Sequence, residues 1–307
     1  MNPAYSVILF TTASGAGYGL LALLGLMGTR AGQSTSLLFA TVALVLALGL
    51  ITVGLLSSTL HLGRPERAWR ALSQWKTSWL SREGVAAVAT YPISLAFGLV
   101  WSGIIPKPEA IAPLGLLTAL LALTTVFTTG KIYATLTTIR AWNQPLTVPI
   151  YLFFALTSGG ALYWALAASF GKDPDTVAPV AGFALLMLGV LKYRNWQVID
   201  AAPRDRTMAN ATGLGENVRQ WEVPHTSKNF VQREMGFVVA RRHAKRLRGL
   251  FFILLTVVGL LELAASAMPV FAIPAALVVL FAAWVERWLF FAEAEHVVTL
   301  FYGNLQA

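Results

Sequence analysis

Cysteine is absent and charge is scarce. With no cysteine in 307 residues, the chain has no disulfide, no thiolate metal site and no iron–sulfur cluster of its own. Any cluster that passes electrons to or from it must belong to a partner. Only 12% of the residues are charged against 56% hydrophobic, too few to cover a soluble domain of this length. A basic leader is missing too. Met1-Asn2-Pro3 runs directly into the apolar stretch Ser6–Leu26, which reads as a retained span rather than a cleaved signal peptide.

What is present is a series of apolar runs near the length needed to cross hydrocarbon as a helix. Hydropathy places eight spans at roughly 6–28, 36–60, 84–105, 112–134, 147–170, 177–194, 247–267 and 270–292. Prolines 3, 106, 113, 149, 179 and 269 fall at or near their ends, where helix breakers belong. The expected fold is an all-α integral membrane protein: one polytopic domain over 1–307, built as a bundle of eight transmembrane helices. Gly15 and Gly19 form a small-xxx-small pair in the first span, read as plain helix packing.

The charges sort by side. Nineteen of the 23 basic residues lie in, or border, the connections after spans two, four and six. An even number of spans puts both termini on that same side. The positive-inside rule therefore predicts cytoplasmic termini and loops, in a multi-pass protein of the inner membrane. Most of the tryptophans read as an interfacial belt. The net charge of +9 goes with this asymmetry, and no nucleic-acid partner is expected.

Two connections stand out. His61 to Glu83, HLGRPERAWRALSQWKTSWLSRE, is basic and rich in tryptophan. The second, 195–246, is too polar to span and too long for a simple connector; it ends in RRHAKRLR at 241–248. Its basic end can anchor to anionic lipid, while its length favours docking of a soluble subunit. The candidate docking residues are Arg67, Arg70, Lys76, Arg82, Arg241 and Arg242.

Ionisable side chains at membrane depth are costly and point to function. Span eight carries Glu286 and Arg287, then Glu293, Glu295 and His296 at its basic end. Lys131 and Tyr133 close span four, and His61 closes span two, at a similar depth. Glu262 lies toward the far end of span seven, where contact with solvent would account for it. A quinone suits such a set, because it needs hydrogen bonds to two carbonyl oxygens and a proton route. Histidine titrates near neutral pH and carboxylates relay protons to water. The candidate quinone contacts are His61, Arg64, Lys131, Tyr133, Glu286, Arg287, Glu293 and His296. Haem is a competing use of His61 and His296, but axial histidines normally sit within spans, so no haem is expected. No residue spacing resembles a metal site.

Several stretches together resemble a known family. They are NPAYSVILFTT near the start, STLHLGRPERAW and WLSRE around the first basic loop, and VFTTGKIYATL in span four. VPHTSKNFVQREMGFVVARRHA and RWLFFAEAEHVV complete the series. In order and spacing the chain resembles the membrane anchor subunits of the dimethyl sulfoxide reductase family, in particular the branch found in quinone-linked sulfite dehydrogenases. The resemblance implies a complex with a molybdopterin catalytic subunit and an iron–sulfur subunit holding 4Fe-4S clusters, with ubiquinone or menaquinone as the membrane-side electron carrier. It implies a quinone contact for His61. The family's Glu-x-x-x-Arg pattern is not reproduced, because Glu286 and Arg287 are adjacent. Within the family, the alternative is a quinol-oxidising anchor of a sulfoxide reductase. Outside it, a secondary transporter would show interrupted helices and polar residues at midplane, and a passive anchor would leave His61 and the charged end of span eight without a role.

Overall fold

The computed structural model describes residues 3–32, 34–60, 62–174, 176–202, 206–215, 218, 221–222, 226–227 and 239–302; the side chains of 31 and 239–242 fall outside it. Eight long helices form the described bundle. They are α1 (Tyr5–Arg30), α2 (Leu37–Thr59), α3 (Trp79–Trp101), α4 (Ile111–Ala134), α5 (Thr147–Ser169), α6 (Ala178–Ala201), α7 (Val239–Ala267) and α8 (Ala272–Ala292). Seven are long and apolar enough to cross a membrane. The other is α6, equally long, whose second half carries Lys192, Arg194 and Asp200. α6 also continues to Ala201 and α7 starts at Val239, so helix occupies both ends of the segment expected as a loop over 195–246.

Burial shows which helices are central. Five-sixths of the apolar window of α1 and of α5, 83% in each, is buried, against 28% for α7. α1 earns its place with glycine. A Cβ on Gly19 would lie 1.7 Å from the Ala155 carbonyl oxygen, and one on Gly159 would lie 2.2 Å from the Gly19 carbonyl carbon, so α1 and α5 touch backbone to backbone. Gly25 and Gly115 bring α4 equally close to the other side of α1. Lipid offers no hydrophobic drive between helices, so such close approach carries much of the packing. The pair expected from sequence resolves differently: Gly19 packs against α5, while Gly15 faces open space.

Two local features aim side chains at the site. Residues Phe10–Ser14 of α1 form a π-helical turn, a device that often marks functional positions. Before α3, the connection winds as a 3-10 helix, Pro65–Gln74. It is tied down by Ser81, whose hydroxyl donates to the Ala71 carbonyl, and by Arg82, which donates to the carbonyls of Trp75 at 3.0 Å and Lys76 at 2.7 Å.

Candidate functional site

The charged centre of the bundle is built by α6 and α8. The buried residues of α6 include Ala181, Leu185, Leu188, Lys192 and Trp196, a three-to-four spacing that gives one face. Lys192 is thus carried inward on an apolar stripe. On α8, Glu286 meets it: Lys192 Nζ donates to Glu286 Oε1 at 2.5 Å, and Arg287 Nε donates to Oε2 at 2.5 Å. All three side chains are at most 3% exposed. Aromatic faces complete the cage, with the Arg287 guanidinium 4.1 Å from the Tyr151 ring centre and Lys192 Nζ 4.2 Å from that of Trp196. Such contacts offset part of the cost of burying cations.

Arg287 lines a small, partly open cavity of about 20 Å³ between α1, α4, α5 and α8, room for about one water. The π-helical turn supplies Thr11, Thr12 and Ser14 to its wall, and Tyr18, Thr129 and Tyr151 add hydroxyls. The turn's hydroxyls donate back to Val7, Ile8 and Phe10 carbonyls, which leaves their lone pairs available to the cavity. Arg287 Nη1, Tyr18 OH and Tyr151 OH have no hydrogen-bond partner among the described residues. Beside the cavity, the Thr129 hydroxyl donates to the buried carboxylate of Glu83.

Toward the basic face the cluster continues. Trp196 lies between Lys192 and Arg248, whose guanidinium is 5.1 Å from the ring centre. Arg248 donates to Glu293 at 2.9 Å and to Asp200 at 2.6 Å, and the Asp200 side chain is 58% exposed. A line of ionisable groups therefore runs from beside the cavity to solvent. His296 stands beyond it, where its Nδ1 accepts from the Val298 amide at 3.0 Å and burial lowers its pKa.

Only some of the residues expected from sequence come together. Glu286, Arg287 and Tyr133 join the buried cluster, Tyr133 stacking on Tyr151 with ring centres 5.7 Å apart. Glu293 belongs to its outer end. Lys131 lies elsewhere, on an open groove of about 560 Å³ where α4 meets α5. Phe127, Asn143, Gln144, Val148 and Leu152 line that groove with it, and its ammonium lies 5.7 Å from the Trp79 and Phe127 ring centres. Groove and cavity back onto one helix crossing. There a Cβ on Gly130 would come within 3.2 Å of Val148 Cα, with Thr129 on the cavity side and Lys131 on the groove side. Arg64, Arg67, Arg70 and Lys76 are exposed on the connection before α3, and Arg82 is engaged in holding that connection's shape. His61 lies outside the described residues, as do the side chains of Arg241 and Arg242. Glu262 needs correcting: it is buried, not at solvent, and its Oε1 has no partner among the described residues.

Lys192, Glu83, Tyr18 and Tyr151 were not singled out from sequence. For two of them a signal was there. Lys192 interrupts an apolar stripe at i, i+4, and Glu83 begins the buried stripe 83, 86, 87, 90, 94 of α3.

These features define a polytopic membrane protein with a charged, enclosed core that opens to one face. The chain belongs to the family of DMSO reductase anchor subunits (DmsC), whose family model matches residues 1–303. It is the membrane anchor of an oxidoreductase complex. It is similar to the C subunit of the sulfite dehydrogenase of Allochromatium vinosum, with 32% identity over 333 aligned positions that take in 99% of this chain and all of the relative.

Proposed function

We propose that this anchor exchanges electrons between partner-held iron–sulfur clusters and a quinone whose head group is received in the groove between α4 and α5. One observation carries the reading: a groove of about 560 Å³, within the usual range for small-molecule sites, backs onto a buried acid–base cluster across a single glycine crossing. The groove sets Phe127, Val148 and Leu152 beside Lys131, Asn143 and Gln144, a mixed lining that suits a quinone ring carried on an isoprenoid tail, and Lys131 brings a donor for a carbonyl oxygen. Glu83, Tyr133, Tyr151 and Arg287 behind the crossing hold and orient protons. By the family resemblance His61 is assigned as a further quinone contact, and Arg64, exposed on the connection before α3, is assigned with it.

The likeness to a sulfite dehydrogenase subunit favours sulfite as the donor at the molybdopterin subunit. Sulfite and water give sulfate, two protons and two electrons; quinone takes up two electrons and two protons to become quinol. The basic loops are assigned to the cytoplasmic side of the inner membrane with both termini, and α6 is assigned as the eighth span. Exposed Arg67, Arg70 and Lys76 are assigned to the surface on which the iron–sulfur subunit docks, and Arg241 and Arg242 are assigned to docking from their place in the sequence.

Photolabelling of the purified complex with an azidoquinone tests the site. Label is expected within 127–134 and 143–152, and label confined to other helices would sink it. Lys131→Ala is expected to lower quinone-linked turnover about tenfold or more while turnover with a soluble artificial acceptor stays at the wild-type rate. His61→Ala is expected to separate the two assays in the same way.

A further inference from the structure

Among the described residues, Lys192 is the lysine of the buried cluster, and its surroundings offer it two positions. In the first, its ammonium donates to Glu286 Oε1, deep in the bundle beside Arg287, which in turn lines the cavity. The second lies one turn nearer the basic face. Asn195 is three residues further along α6, on the same helix face; it is buried, and its side-chain Oδ1 has no hydrogen-bond partner among the described residues. Just beyond stand Glu293 and Asp200, both held by Arg248, with Asp200 open to solvent. The Trp196 ring lies beside the path between the two positions and faces a cation at either end of it.

Arginine cannot serve as a carrier here, because it does not release its proton. Lysine can, and its four-carbon stem is flexible enough to move between acceptors. The geometry points to Lys192 as a swinging proton carrier that connects the basic face to the cavity. The ammonium passes a proton to the Glu286 carboxylate. The neutral amine swings outward to Asn195 and takes a proton from solvent by way of Glu293 and Asp200. Glu286 then passes its proton by way of the cavity, lined by Tyr18, Tyr151 and Thr129, toward Glu83 behind Thr129, and the ammonium returns. Each cycle moves one proton inward, with no bond made or broken other than to hydrogen. Two cycles match one quinone reduction, so the assignment rests on the quinone reading above.

The test uses the whole complex in nanodiscs, with turnover measured both to quinone and to a soluble artificial acceptor. Lys192→Arg keeps the positive charge and the pairing with Glu286, so the complex assembles, but the carrier is lost. Its quinone-linked rate is expected to fall about 100-fold, with a solvent deuterium isotope effect larger than that of the wild type and an unchanged acceptor rate. Lys192→Ala is expected to fall as far and to recover in part with added methylammonium. Wild-type quinone turnover in Lys192→Arg overturns the carrier, as does a loss in Lys192→Ala that methylammonium leaves untouched. A wild-type complex that reduces the artificial acceptor but never quinone overturns the quinone reading itself, and the carrier with it.

Discussion

Two carboxylates are enclosed in the last two helices, and they could hardly be treated more differently. Glu286 on α8 has each oxygen engaged by its own cation, Lys192 and Arg287. Glu262, five residues before the end of α7, is nearly as buried but has an oxygen with no partner among the described residues. Both face the same apolar cost. In the half nearer the basic face, that cost is met by a network that continues through Arg248 to solvent. In the opposite half, the carboxyl shares a helix face with Ala265, which packs with Trp164 and Ala272, and the Trp164 indole N–H also has no partner among the described residues. Burial alone therefore says little about role; the partners do.

The contrast can be broken in four ways. The largest effect is expected from Glu286→Leu, which leaves two cations enclosed with no counter-charge. It should cost about 3–5 kcal/mol, read as a lower thermal midpoint of the purified complex. Adding Lys192→Met to that change should return part of the loss, because the pair is coupled. A cycle giving an interaction energy of about 0.5–3 kcal/mol is expected, and strict additivity would show that the two residues act separately. Glu262→Leu is expected to change stability by about 1 kcal/mol or less, in either direction, since an unpaired polar group is exchanged for an apolar one of similar shape. A loss as large as that of Glu286→Leu would reveal a hidden partner.

The smallest effect concerns His296, at the rim. Burial lowers its pKa in the folded chain, so the unfolded chain binds the proton more readily. Its contribution is complete above about pH 6.5 and is lost as pH falls through the lower folded value. Thermal unfolding followed across that window should show a shallow acid-side slope that His296→Asn removes.

Much of the fold could be read from the apolar runs and their proline boundaries, because the bilayer fixes the length of a span. The charged end of α8 was legible for the same reason: ionised groups in an apolar run stand out. Lys192 was hidden by its position near a helix end, where a lysine ordinarily reaches for the interface; only the stripe formed by Leu185, Leu188 and Trp196 shows that it points inward. Glu83 was concealed within a motif, WLSRE, that draws the eye to its arginine. Depth along the membrane could be judged from sequence, but lateral neighbours could not. That is why Lys131 and Glu286 read as one group in the sequence and prove to lie on opposite sides of a helix crossing.

The π-helical turn at Phe10–Ser14 has a further consequence. It amounts to one residue more than a regular helix needs there, so Tyr5–Leu9 and Gly15–Ala31 follow one axis in nearly the phase of a helix one residue shorter. Removing a single residue from the turn would let the helix close regularly with the segments on either side kept in place, whereas the same deletion in a regular helix would rotate everything before it by about 100°. Tyr5–Leu9 would keep their neighbours, while the hydroxyls that Thr11, Thr12 and Ser14 bring to the cavity wall would be re-aimed. A one-residue deletion therefore tests the aim of the turn at the cavity in a way that no substitution can.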